Sequence, residues 1–66
     1  MKSLLLVAHG SRREASNQEV RDLASSLANQ AGDTYQDVSA AFLELAEPSI
    51  PDGILAALER GASEIV

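Results

Sequence analysis

The chain has 66 residues, 45% of them hydrophobic and 3% aromatic, with a formal net charge of −5 and no cysteine. That length supports one domain at most, burying only about 60% of its unfolded surface, and the absence of cysteine removes disulfides, thiolate metal sites and cysteine nucleophiles together. Five basic residues against ten acidic ones leave no basic surface for nucleic acid.

The first apolar block, residues 4–8 (LLLVA), ends at His9-Gly10 and suits a strand buried on both faces of a parallel sheet. It is far shorter than the roughly 20 residues of a membrane span. It is also too soon followed by His9 and two arginines to be a signal-peptide core, so no membrane association and a cytoplasmic location are expected. Val20, Leu23, Ala24, Leu27 and Ala31 then recur at spacings of three and four, the stripe of an amphipathic helix. Ser11 with Glu14, or Ser16 with Glu19, fits a capping box at its start, and Gly32 supplies the stop. Residues 38–45 (VSAAFLEL) read as a second buried strand. Ser49-Ile50-Pro51-Asp52 is again a capping box with proline in the first turn. Ile54, Leu55, Leu58 and Ala62 mark the inward face of a second helix, which Gly61 ends. Residues 63–66 open a third strand.

The order strand, helix, strand, helix, strand calls for right-handed crossovers and a parallel sheet covered by helices, a three-layer α/β architecture. Because Ile65-Val66 closes the chain just as an apolar strand begins, the sequence reads as the amino-terminal part of a larger domain, truncated at its C-terminus. A short protein that pairs its open sheet edge with a second copy is the alternative.

In an open parallel sheet ligands bind beyond the carboxyl ends of the strands. Two polar residues stand there: His9 after the first strand and Glu44 near the end of the second, with Glu47 just beyond as the alternative acidic residue. If these strands are neighbours, an imidazole and a carboxylate meet at one edge and suit a borderline divalent ion such as Co²⁺, Fe²⁺ or Ni²⁺. The plainer role for His9 is a strand-end hydrogen bond to a carbonyl, and for Glu44 a solvated carboxylate. Period two places Glu44 on the face of Phe42 and Ala40. Gly10, Ser11, Arg12 and Arg13 open the first helix, where free N–H groups and the positive dipole end favour an anion. Neither a dinucleotide nor a P-loop glycine pattern is present, and no GxSxG elbow occurs.

LLLVAHGSRREASNQEV, followed by AAFLELAEPSIPDGILAALERGASEIV, resembles the small sirohydrochlorin chelatases. The strand-end His9-Gly10-Ser11 and the block Phe42, Leu43, Glu44, Pro48 and Ser49 carry the resemblance. It implies half of a chelatase-like doubly wound domain and ATP-independent insertion of Co²⁺ or Fe²⁺ into a polycarboxylate tetrapyrrole, with no cofactor beyond the substrate metal. It further implies that His9 binds the metal and that it or a neighbour takes up pyrrole protons, that Glu44 is its carboxylate partner, and that the protein is a homodimer. Gly10, Ser11, Arg12, Arg13 and Ser49 are the expected substrate contacts. The short members carry a second active-site histidine after the third strand, whereas His9 is the only histidine here. A metal- or tetrapyrrole-binding module without turnover is the alternative of a different class.

Overall fold

Three parallel strands, β1 (Lys2–Ala8), β2 (Asp37–Phe42) and β3 (Glu64–Ile65), form one sheet in the order β2-β1-β3, in a computed structural model that describes residues 1–66. The apolar block of the sequence is thus the middle strand, but it is not buried on both faces as expected: Leu4, Leu5, Leu6 and Ala8 are half-buried and Val7 is exposed, because the two helices cover the sheet only in part. Ser3 pairs with Asp37 and Ala8 with Phe42 along β1 and β2. On the other side Lys2 pairs with Glu64 and Ser3 with Ile65, and the ladder runs one bond further, Leu5 N–H donating to the Val66 carbonyl at 2.9 Å.

Helices α1 (Glu14–Gln30) and α2 (Ile50–Glu59) lie on opposite faces of this sheet. Phe42 sits under the guanidinium of Arg21 on α1, 5.2 Å from ring centroid to charge. Its neighbour Ala41 faces Gly53 of α2, and successive strand residues point to opposite faces. The three-layer α/β reading therefore holds. Its centre is small: Ala24, Ala41, Phe42, Ala57 and Ala62 are the buried apolar residues, beside buried Ser3 and Asn17.

Several boundaries depart from the sequence reading. β2 ends at Phe42 rather than at residue 45: Leu43 and Glu44 keep one backbone bond each to the end of β1, and the chain then turns away in a bend in which Leu45 takes φ +65°. Neither capping box starts α1: Arg13 occupies the N-cap with no side-chain bond, and Ser11 Oγ instead accepts from Arg13 N–H at 3.0 Å. Gly32 does not take the left-handed conformation. Ala31 caps α1, its N–H bonded to the Leu27 carbonyl, and Thr34 and Tyr35 N–H groups then turn onto the Ala31 carbonyl.

The second helix matches the reading at both ends and departs from it along its face. Ser49 Oγ accepts from Asp52 N–H at 3.3 Å. At the other end Gly61 takes φ +101°, with Gly61 N–H donating to Leu58 and Ala62 N–H to Ala57, the paired bonds of a Schellman motif. The inward face, however, is Gly53 and Ala57. Ile54, Leu55 and Leu58 are exposed, because the helix approaches the sheet over its smallest residues: a Cβ on Gly53 would stand 2.9 Å from that of Ala41. On α1, Leu23 is likewise exposed while Ala24 is buried.

Candidate functional site

His9 follows the last residue of the middle strand and is exposed. With Val7, Ala8, Leu43 and Ile50 it lines a shallow depression of about 220 Å³ at the carboxyl edge of the sheet. Four of its five walls are apolar, and Val7 and Leu43 are both more than half exposed. An imidazole thus stands at the rim of an open apolar surface, where an aqueous ion and a flat apolar ligand can both reach it.

Glu44 reaches this edge by a different route from the one the alternation suggests. Beyond Phe42 the backbone still follows β1: Leu43 N–H donates to the Ala8 carbonyl at 2.9 Å and Glu44 N–H to the His9 carbonyl at 3.0 Å. His9 and Glu44 are therefore neighbours through their backbones, as expected for adjacent strands. Because the strand has ended, period two no longer applies. The Glu44 side chain is exposed and is not a wall of the depression. Gly10 makes the close approach possible: it takes φ +90°, and a Cβ there would lie 1.7 Å from the Glu44 carbonyl oxygen. Glu47 is exposed in the same loop, and its carbonyl accepts from Arg21 Nη2 at 3.2 Å.

The other expected site residues fall on both sides of this edge. Arg12 and Arg13 are exposed at the head of α1, where the dipole and unpaired N–H groups favour an anion. Ser11 is held by its backbone, and the Ser49 hydroxyl is taken up as the cap of α2. None of these four lines the depression.

Two residues absent from the sequence reading hold the site's loops. Asn17, 2% exposed, accepts from Ser11 N–H through Oδ1 and donates to the Ser11 carbonyl through Nδ2, both at 2.8 Å. Arg21 forms an ion pair with Glu14 and reaches the Glu47 carbonyl. The Glu14 carboxyl is held below the usual range, first by its hydrogen bond from Arg21 and then by that from Asn17. A signal for Asn17 did exist, since it extends the stripe of residues 20, 24, 27 and 31 by one turn, a polar side chain at a core position.

No three His, Asp or Glu side chains gather closely enough to hold a metal ion. An ion bound by His9 and a carboxylate would complete its shell with water or with the donor atoms of a ligand. No helix is long and apolar enough to cross a membrane.

Comparison with known proteins matches residues 3–66 to a family model described as CbiX. A protein named sirohydrochlorin ferrochelatase, chloroplastic, from Arabidopsis thaliana is 36% identical over 63 residues, covering 96% of this chain and 27% of that protein. Proteins named sirohydrochlorin cobaltochelatase are 36% identical in Methanopyrus kandleri and 33% in Methanocaldococcus jannaschii, each over 66 residues, 100% of this chain and 45% of theirs. The chain spans less than half the length of these relatives. Over residues 3–66, from the first strand through the third, it belongs to the CbiX family.

Proposed function

We propose that this chain carries the metal-delivering edge of a sirohydrochlorin chelatase that inserts Co²⁺ into the tetrapyrrole. The observation that carries the reading is His9 at the carboxyl end of the middle strand, on the rim of an apolar depression. Val7, Ala8, Leu43 and Ile50 offer contact to one face of a macrocycle, and the exposed Arg12 and Arg13 at the head of α1 are the proposed partners of its carboxylates. Insertion exchanges two pyrrole N–H protons for one divalent ion. Imidazole suits both halves of that exchange, because it ligates metal when neutral and takes up a proton near neutral pH.

Glu44 is the proposed carboxylate partner of His9, supported by the backbone bond between them. A site with two such ligands holds an ion loosely enough to release it, which fits a metal that is substrate. Fe²⁺ insertion is the alternative within the same chemistry, since imidazole and carboxylate accept Co²⁺, Fe²⁺ and Ni²⁺ alike; the names of the relatives include both metals. The homodimer and the cytoplasmic location expected from the sequence go with this reading.

The test is incubation with sirohydrochlorin and Co²⁺ or Fe²⁺, following the absorption change on insertion. His9→Ala is expected to lower the rate by about a hundredfold or more, the range of a lost acid–base group. An unchanged rate removes His9 from the mechanism. A second reading, a metal- or tetrapyrrole-binding module without turnover, is favoured by His9 being the single histidine of these 66 residues. Binding of Co²⁺ and tetrapyrrole with no insertion would select it.

A further inference from the structure

The two loops that meet at the carboxyl edge are both tied to one face of α1. Asn17 grips the loop after β1 by the N–H and the carbonyl of Ser11, two residues beyond His9. One turn further, Arg21 grips the loop after β2 by the Glu47 carbonyl, three residues beyond Glu44, while its guanidinium covers Phe42 at the end of β2. Glu14 joins the two, accepting from Asn17 Nδ2 at 3.4 Å through Oε2 and pairing with Arg21 through Oε1. No buried side-chain polar atom in the chain is left without a partner.

We propose that Asn17 and Arg21, linked through Glu14, are positioning residues that hold the His9 loop and the Glu44 loop in register, so that both residues address one metal ion. The proposal rests on the reading that His9 and Glu44 contact the metal. Two observations and one general rule support it. A buried amide at a core position of a helix displaces an apolar side chain and is retained only where its bonds are made. Here its two 2.8 Å bonds go to a loop, and only the longer one to Glu14 stays within the helix. The β2–α2 loop also contains Leu45 at φ +65°, a conformation that persists only where the surroundings over-determine it, and the Arg21 contact is the tie from α1 to that loop. Finally, partners that orient metal ligands from behind typically change affinity by about 10–100-fold when removed, without touching the ion.

The test uses the 66-residue chain, with Co²⁺ alone as probe. Without metal, Asn17→Ala is expected to speed amide exchange at Ser11, and Arg21→Gln at Leu43 and Glu44, leaving the amides of residues 24–28 within α1 at wild-type rates. With metal, each variant is expected to lower Co²⁺ affinity about tenfold by titration calorimetry. Arg21→Gln combined with Glu44→Gln should bind no more weakly than Glu44→Gln alone, since the two changes remove the same contribution. If Asn17→Ala fails to fold, Asn17→Asp keeps the acceptor for Ser11 N–H, removes the donor and reads the same loop.

Uniformly faster exchange across helix and sheet, additive losses in the double variant, or wild-type Co²⁺ affinity despite a loosened loop would each overturn the proposal. Wild-type affinity in His9→Ala overturns instead the assignment of the metal ligand, and the positioning role with it. The exchange data distinguish the two failures.

Discussion

At Gly10 the chain has no room for a side chain. A Cβ there meets the Glu44 carbonyl oxygen at 1.7 Å, and the φ of +90° is one that L-residues avoid. Gly10→Ala is expected to destabilise by about 3 kcal/mol, combining left-handed strain with overpacking against backbone. Measured in a urea titration, a loss under about 1 kcal/mol would mean that the two loops can separate. His9-Gly10 at the end of an apolar block was legible because a strand end and a glycine are local facts. The partner of Gly10 was not, since the Glu44 carbonyl lies 34 positions away and reaches it only through the pairing of β1 with β2. Asn17 and Arg21 were hidden for the same reason: their bonds run to loops, and only the first left a trace, as a polar residue on an apolar stripe.

At the scale of elements, helix spacing identified α2 and both of its caps, and misjudged its face. Ile54, Leu55 and Leu58 carry the strongest apolar signal, yet Gly53 and Ala57 touch the sheet. The two assignments make opposite predictions in denaturant titrations. Leu58→Ala is expected to cost under about 1 kcal/mol, as for an exposed position, instead of the roughly 2–5 of a buried leucine. Gly53→Ala gains about 1 kcal/mol of helix propensity and must open the 2.9 Å approach to Ala41. A net loss of about 1 kcal/mol is expected, because overpacking costs 1–3 kcal/mol. The second strand was misread at its end in a related way: FLEL continues the apolar pattern, but the chain bends after Phe42 and its Leu43 and Leu45 are exposed.

Across the whole molecule, one polar cluster joins three elements at the end of the sheet away from the site. Asp37 at the start of β2 accepts from Arg60 Nε at 3.0 Å and Nη2 at 2.8 Å, and from Ser3 of β1 at 2.6 Å. Arg60 caps the C-terminus of α2. The Arg60 hydrogen bonds, helped by that of Ser3, hold the Asp37 carboxyl below its ordinary value, and Arg60 is correspondingly raised. Since the folded chain binds the Asp37 proton more weakly than the unfolded one, the contribution is complete above about pH 4. It is lost as the pH falls through the depressed folded-state value. Stability is therefore expected to drop with acid below about pH 4, and Arg60→Gln should flatten that dependence while lowering neutral-pH stability by up to about 1 kcal/mol. Melting temperatures from pH 2 to 7 check this; parallel curves for the two proteins would remove the cluster from the acid response. The amino-acid order alone determined the α/β class, a parallel sheet opened by residues 4–8, the His9-Gly10 edge and the Ser49 and Gly61 caps, because strand runs, helix periods and caps are written in residues close along the chain. The three-dimensional fold decided which face of α2 is inward, where β2 stops, and how Asn17 and Arg21 reach the loops of His9 and Glu44. Those depend on contacts between residues far apart in sequence, where the fit of small side chains and of backbone carbonyls outweighs local hydrophobicity.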